Sequence, residues 1–181
     1  MYNNWTVDLS DSVKALNSIK DTVLPKLISG KIHTVECADN EILVLLDQKS
    51  GVDYIRENET GLQGIAARVQ WCGSYPPYNT FTIRKDRHTG SQTEYEKRIQ
   101  QIDQGYFYPA YTLQAYFDDR STMTLKSIAV IETKKLYEFI RENYNDESKV
   151  SVKNSDNTFI YVRWSDLVDY KIKVHKFQTS K

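Results

Sequence analysis

Three consecutive β-strands are predicted between residues 42 and 71, and together they require a sheet at the centre of the fold. Residues 42–46 form an uninterrupted apolar run that ends at Asp47, a pattern typical of a strand buried on both faces. Residues 51–55 and 64–71 predict two further strands, each bounded by turn-forming residues. A chain that contains this unit is expected to bury a central strand between two other layers.

The second and third of these strands are expected to pair as a hairpin, because residues 58–61 have the sequence of a turn. Symmetric pairing about that turn sets Asp53 opposite Ala66, with Arg68 as its diagonal neighbour. Side chains alternate along a strand, so Ala66, Arg68 and Gln70 share the face on which Asp53 lies. An acid, a base and an amide are therefore predicted to meet on one wall of the sheet.

The rest of the chain adds helices and further strands around this unit. An amphipathic helix begins near Leu9 and is expected to bend at Pro25. The motif from Ser91 to Glu94 has the pattern of a capping box and predicts a helix after it. The other predicted elements are strands at 80–84, 106–117, 127–132 and 158–164 and a helix that begins at Thr133. This order predicts the α/β (α+β) class, with a mixed central β-sheet flanked by helices in a single domain over residues 1–181.

The overall charge is balanced, with 24 Lys plus Arg against 24 Asp plus Glu. A neutral chain offers no bulk attraction to nucleic acid or to a membrane, so any such contact must be local. Only two cysteines, Cys37 and Cys72, and no secretory leader are present, which is typical of a reducing compartment. Since no apolar run approaches the roughly 20 residues of a membrane span, we expect a cytoplasmic protein without a membrane partner.

Residues 47–55, with Asp53, and residues 64–70, with Arg68, resemble the second and third strands of the PD-(D/E)XK nuclease-like superfamily. The resemblance implies a restriction-endonuclease-like core over residues 9–117: a first helix, a three-stranded meander, a helix and a further strand. Residues 118–181 would then form a C-terminal strand and helix extension. Residues 81–97 are also similar to phage and mobile-element proteins of this type.

The resemblance further implies a site for Mg²⁺. Active members of the superfamily bind magnesium through an Asp and a Glu or Gln that lies two residues before a Lys. The matching positions here are Asp53, Ala66 and Arg68, so Asp53 and Arg68 are the candidate catalytic residues. Asp53, Asp47 and Gln70 are the candidate metal ligands. Ala66 has no ligand atom, and Arg68 can clamp a phosphate but does not release a proton near neutral pH. This departure from the superfamily's pattern argues against cleavage but is compatible with phosphate binding.

Each candidate also has a structural interpretation. Asp47 fits a polar residue at the end of a buried strand, and Gln70 fits an ordinary hydrogen-bonding residue of a sheet. Asp53 fits either a metal ligand or the partner of Arg68 in an ion pair. Glu94 fits the predicted capping box, with a metal role as the alternative.

A cluster of basic residues follows the predicted strand at 80–84 and is the strongest local signal for nucleic acid. It contains Arg84, Lys85, Arg87 and His88. Such a turn can contact the phosphate backbone of DNA or RNA, while Trp71, Tyr75 or Tyr78 can stack on an exposed base. The alternative is a solvated hairpin end without a ligand.

Two functions from different classes follow from these patterns. The first is a nucleic-acid-associated protein with a nuclease-like fold and an incomplete, Mg²⁺-dependent site. The second is a non-catalytic inhibitor from a phage or mobile element, of the anti-CRISPR or anti-restriction type, that binds a host defence nuclease or ribonucleoprotein in the bacterial cytoplasm. A plain structural or oligomer-forming domain is the remaining alternative. Binding through phosphates falls steeply with salt, whereas an aromatic protein interface is far less sensitive.

Overall fold

The computed structural model describes residues 5–35, 40–86, 90, 92–153 and 158–176. The helices are α1 (Trp5–Lys20), α2 (Leu24–Leu27), α3 (Glu41–Leu45), α4 (Glu94–Gln104) and α5 (Thr133–Asn143). A π-helical turn (Leu46–Ser50) continues α3, and a 3-10 helix (Trp164–Tyr170) follows the last strand but one. The strands are β1 (Lys31–Thr34), β2 (Tyr54–Asn58), β3 (Gly61–Trp71), β4 (Thr80–Arg84), β5 (Tyr111–Phe117), β6 (Leu125–Glu132), β7 (Val150–Lys153), β8 (Phe159–Arg163) and β9 (Lys173–Lys176).

The described strands form two sheets. The main sheet has six strands in the order β1-β2-β3-β5-β6-β9, and the small sheet has three strands in the order β4-β8-β7. In the main sheet β3 and β5 run parallel, while the other neighbours are antiparallel. The prediction of a mixed central sheet flanked by helices is therefore confirmed.

Two hydrophobic cores lie on opposite faces of the main sheet. On one face, α1 and α2 pack through Leu16, Ile19 and Leu24 against the strands. On the other face, α5 and the small sheet cover the strands, with side chains such as Leu136 and Ile160. The strand β6 contributes alternate residues to both cores, so it is a strand buried on both faces. The layered fold therefore has helices on one side and helices with a second sheet on the other.

The prediction of a buried strand at residues 42–46 is wrong. These residues form α3, whose first backbone N–H groups, those of Ile42 and Leu43, are both accepted by the side-chain oxygen of Asn40. This cap starts a helix, and a short apolar run has no periodicity that distinguishes helix from strand. Ile42 is 68% exposed and Leu45 is 52% exposed, so the run lies on the surface. Among the described residues no helix is long and apolar enough to cross a membrane.

The cap of α4 also differs from the prediction. Ser91 lies outside the described residues, and the capping box is formed by Thr93 and Glu96. The Thr93 hydroxyl accepts the N–H of Glu96 at 3.3 Å, and the Glu96 carboxylate accepts the N–H of Thr93 at 2.9 Å. The shift by two residues leaves the Glu94 side chain available for other contacts.

Candidate functional site

Backbone N–H groups of β4 that do not pair with β8 donate to side chains of neighbouring elements. The backbone N–H of Thr80 donates to Tyr116 Oη (3.2 Å), that of Thr82 to Gln114 Oε1 (3.4 Å) and that of Arg84 to Glu94 Oε2 (3.4 Å). A free strand edge is a liability unless it is covered. Here the covering side chains join the small sheet to the main sheet.

A cavity of about 190 Å³ is lined by residues of β3 and β5 in the main sheet, of β4 in the small sheet and of α4. We refer to it as the central cavity. Its charged and polar lining consists of Asp53, Arg68, Thr82, Glu94, Arg98, Thr112 and Gln114. The structure thus brings together Asp53 and Arg68, the two candidate catalytic residues. Neither Asp47 nor Gln70 is among the residues that line this cavity.

The predicted register of β2 and β3 is confirmed. Tyr54 pairs with Ile65, which places Asp53 opposite Ala66. The ladder of paired residues ends at Tyr54 and Ile65. Beyond this end, Asp53 Oδ2 accepts a hydrogen bond from the N–H of Ala67 at 2.5 Å. The carboxylate therefore holds the end of the β2–β3 ladder, a structural contribution that the sequence did not predict.

Arg68 forms an ion pair with Glu94, with 2.9 Å between Arg68 Nη2 and Glu94 Oε2. The guanidinium carbon of Arg68 also lies 5.7 Å from the centre of the Phe159 ring. The guanidinium of Arg84 approaches the same ring at 5.4 Å. Two cations thus lie against the same aromatic ring, and the negative face of such a ring attracts a cation.

Arg98 is the most deeply buried cation at the site, with 3% exposure. Its Nη1 donates to the Ser50 carbonyl and to Gln101 Oε1, both at 2.8 Å. Lys97 of the same helix donates to the Gln48 carbonyl at 2.7 Å. Side chains of α4 therefore satisfy the last carbonyls of the π-helical turn, which have no partner within their own helix.

Tyr137 of α5 lies next to these charges. Burial is the main cause that raises the pKa of the Tyr137 phenol well above its ordinary value, and the negative charge of Glu94 adds to it. Arg98 and Arg68 oppose the shift. The phenol of Tyr137 therefore stays protonated beside these charged groups.

The other predicted site residues lie outside the central cavity. Asp47 lies in the π-helical turn, where burial raises the pKa of its carboxyl while Lys97 lowers it. Gln70 Oε1 accepts weak hydrogen bonds from Gln114 at 3.4 Å and from Thr82 at 3.5 Å, which agrees with its structural interpretation.

Two of the four residues in the basic cluster predicted to contact nucleic acid, Arg84 and Lys85, lie within the described part of the chain. Arg84 packs on Phe159, and Lys85 Nζ lies 4.8 Å from the centre of the Tyr144 ring. Both cations are half-buried rather than part of a fully solvated turn. Arg87 and His88 lie outside the described residues.

Glu94, Arg98 and Gln114 are the site residues that the sequence analysis missed or assigned to other roles. One signal was present for Arg98: it lies three residues after Tyr95 and four before Ile102, on the apolar face of α4. A charged residue on a buried helical face requires a specific partner. Gln114 gave no comparable signal, because the free edge of β4 that it covers becomes visible only in three dimensions.

The donor set of the central cavity fits Mg²⁺ poorly. Asp53 holds the N–H of Ala67, Glu94 is paired with Arg68, and Ala66 has no ligand atom. Magnesium requires several oxygen ligands in octahedral geometry, and the guanidinium repels a cation. Among the described residues no group of three or more His, Cys, Asp or Glu is arranged to hold a metal ion.

Comparison of the chain with protein-family models, with curated proteins and with solved structures found no match. The relationship to PD-(D/E)XK proteins therefore stays a prediction. The candidate site is therefore defined by the central cavity, which is lined by an ion pair, a second carboxylate and a buried arginine.

Proposed function

We propose that this chain is a nucleic-acid-associated protein built on a nuclease-like core, with an arginine–glutamate ion pair where active relatives hold a metal. The order of elements supports the proposal: α1 and α2 precede an antiparallel meander β1-β2-β3, and β4 and α4 then precede β5, which runs parallel to β3. The resemblance to the PD-(D/E)XK superfamily implies a helix, a meander, a helix and a strand in this order, but here β1 replaces the strand predicted at residues 42–46, and α3 with the π-helical turn separates β1 from β2. The pairing of β2 with β3 sets Asp53 opposite Ala66, with Arg68 further along the same face of β3, and we propose these two residues as counterparts of the superfamily's acid and lysine.

The guanidinium of Arg68 in the central cavity is the observation that carries the proposal. It is 29% exposed, so it can be reached from solvent while its position is held by Glu94. A guanidinium is charged at every physiological pH, carries five N–H donors and matches a phosphate with two parallel hydrogen bonds. The cavity is therefore suited to bind a phosphate without a metal.

Hydrolysis of a phosphodiester needs an activated water in addition to phosphate binding. Lysine at the position of Arg68 could assist that step, whereas arginine holds its proton near neutral pH. The carboxylate of Asp53 is engaged with the backbone of β3. We therefore propose binding without cleavage.

The protein is expected to bind labelled DNA or RNA in the presence of EDTA and to leave both intact in Mg²⁺ or Mn²⁺. Binding is measured by fluorescence anisotropy, and cleavage on denaturing gels. Arg68→Ala should weaken binding about tenfold, the cost of one charge-assisted contact. Lys134→Ala, which removes an exposed cation of α5, is the control and should bind like the wild type.

Two outcomes contradict the proposal. The first is no binding to any single-stranded or duplex DNA or RNA. The second is metal-dependent cleavage that Asp53→Ala abolishes, which would show that the site is catalytic. Loss of stability alone in Asp53→Ala agrees with the proposal, because that carboxylate holds the N–H of Ala67.

The exposed apolar residues of α3 favour a second candidate function, an inhibitor from a phage or mobile element that binds a host defence nuclease or ribonucleoprotein. Ile42 and Leu45 lie three residues apart and are both more than half exposed. Exposed apolar patches mark interaction surfaces in soluble proteins.

An inhibitor of this kind should protect a phage in a bacterial host that carries a restriction or CRISPR system. The measurement is phage plating efficiency with and without expression of the chain. Ile42→Glu combined with Leu45→Glu should abolish protection because it charges the contact surface, whereas Arg68→Ala should not. Absence of protection against every system tested, with the protein well expressed, counts against this function.

A further inference from the structure

A second cavity, a groove of about 630 Å³, is lined by residues of both sheets. We call it the tyrosine groove. The side chains that matter for its chemistry are Gln70, Tyr78, Lys149, Lys153, Tyr161 and Arg163. They come from β3, from the loop before β4, and from the β7 and β8 strands with their flanking residues. The sequence predicted a role for two of them: Gln70 as a candidate metal ligand and Tyr78 as a ring that can stack on a base.

Strand pairing explains why these distant residues share one surface. In β8, Ile160 and Val162 enter the second core, so Tyr161 and Arg163 face the other way. The register pairs Tyr161 with Ser151 of β7, and Lys153 lies two residues further on the same face. The outer face of the small sheet is therefore both aromatic and cationic.

The groove carries a local excess of positive charge in a chain of zero net charge. Lys149, Lys153 and Arg163 line it, against the single carboxylate of Glu147. Two of the cations have partners outside this lining: Lys149 lies 3.7 Å from an oxygen of Asp146, and Arg163 donates to Asp166. Exposed pairs of this kind contribute about 0–1 kcal/mol, so a phosphate can compete for them.

Tyr78 presents its ring to solvent from a fixed backbone position. Its side chain is 77% exposed. The next residue, Asn79, adopts a positive φ of 51° and is anchored twice: its side-chain oxygen accepts from Ser127 at 2.8 Å, and its carbonyl accepts from Trp164 at 2.9 Å. A large ring held in water by an anchored backbone suits stacking on a ligand ring.

Tyr161 supplies a second ring on the floor of the groove. Lys153 Nζ lies 5.5 Å from the centre of this ring, which places a cation beside an aromatic face. Nucleobases stack on such rings whatever their sequence, while their phosphates contact nearby cations. A duplex keeps its bases stacked on one another, so only an unpaired strand can use both tyrosines.

Hydrogen bonds of Gln70 connect the wall of the groove with the wall of the central cavity. Gln70 lines the groove and bonds through its amide oxygen to Thr82 and Gln114, which both line the cavity. From these contacts we propose that a single-stranded nucleic acid occupies the tyrosine groove, with bases on Tyr78 and Tyr161 and phosphates against Lys153 and Arg163. This inference rests on the proposed function and names its ligand and surface.

The test is the affinity of the full-length chain for a labelled oligothymidylate of about 15 nucleotides, within the usual site sizes for single strands. Tyr78→Ala should weaken binding about tenfold, because one base loses its stacking partner. Lys153→Glu should weaken it further through charge reversal beside a phosphate. An unlabelled duplex of the same length should compete at least about tenfold less well than the single strand.

Matched controls separate the groove from general effects. Tyr75→Ala removes a tyrosine of the same loop that is 75% exposed but does not line the groove, and Lys134→Glu reverses an exposed charge on α5. Both should bind like the wild type. Circular dichroism checks that each variant is folded.

The remaining outcomes of this binding experiment distinguish a failure of the groove, of the ligand and of the proposed function. If the wild type binds the oligonucleotide and the groove variants bind equally well, the tyrosine groove is not the binding surface, and the proposed function is unaffected. If the duplex or an oligoglutamate peptide competes as well as the single strand, the proposed ligand is wrong. If the wild type binds no nucleic acid, both the inference and the proposed function fail.

Discussion

Arg98→Met is expected to lower the free energy of unfolding by about 3 kcal/mol, the usual scale for removing a buried, charged hydrogen-bonding group. Methionine has a similar length and fills the space with an apolar chain. It cannot donate to the Ser50 carbonyl or to Gln101, which Arg98 Nη1 contacts at 2.8 Å each. Both acceptors would then stay buried without this partner. Urea unfolding followed by circular dichroism measures the loss.

Lys97→Met is the matched control for this prediction. Lys97 donates to the neighbouring Gln48 carbonyl, at 2.7 Å, but does so from an exposed position where water can replace it. Its loss should cost less than about 1 kcal/mol. Equal destabilisation by the two variants would contradict the view that Arg98 fastens the π-helical turn beneath the central cavity.

Ala66→Glu combined with Arg68→Lys is expected to create a Mn²⁺ site beside Asp53. The register places residue 66 opposite Asp53 and residue 68 further along the same face, so the double variant adds a carboxylate and removes the guanidinium. Alanine at position 66 lines the central cavity, which gives the new side chain room. Two carboxylates at one site are the ligands that hard divalent cations prefer.

Isothermal titration calorimetry should detect Mn²⁺ binding with a dissociation constant on the order of 10⁻⁴ M, typical of a weak site with few carboxylates. The wild type should show none at this concentration. Adding Asp53→Asn to the double variant should remove the binding. A folded double variant that binds no Mn²⁺, or binds it independently of Asp53, would show that the Asp53 region lacks the geometry of a nuclease core.

The register of the β2–β3 hairpin could be predicted because two local signals agree. The turn at residues 58–61 sets the pairing, and a one-residue slip would turn the apolar set of β3 into water. The bounds of β4 followed from its alternating pattern in the same way. Where turn chemistry and side-chain alternation point to one arrangement, the sequence is sufficient.

The helix at residues 41–45 could not be separated from a strand, because one Asn40 side chain decides between them. The apolar run at residues 42–46 predicted a strand buried on both faces, yet this run lies on the surface. The strand that is buried on both faces is β6. The role of Glu94 depended on whether Ser91 or Thr93 begins the capping box of α4. Local motifs that differ by two residues thus changed the assignment of a side chain in the central cavity.

The tyrosine groove could not be predicted from the sequence. Tyr78 and Lys153 are far apart along the chain, and they meet because β8 pairs with both β4 and β7. The strand β7 itself carries only a weak pattern of alternation in a polar region, which does not predict a strand. Contacts between distant strands depend on the three-dimensional pairing, which single-sequence patterns do not encode.

The balanced charge of the chain makes the salt dependence of binding the most direct test of the central claim, metal-free contact with nucleic acid phosphates. The measurement is the affinity for single-stranded oligothymidylate in EDTA at several salt concentrations. We predict that the logarithm of the binding constant falls linearly with the logarithm of the salt concentration, with a slope of about −2 for three neutralised phosphates on a single strand. A slope near zero, or no binding at the lowest salt concentration, would contradict the account.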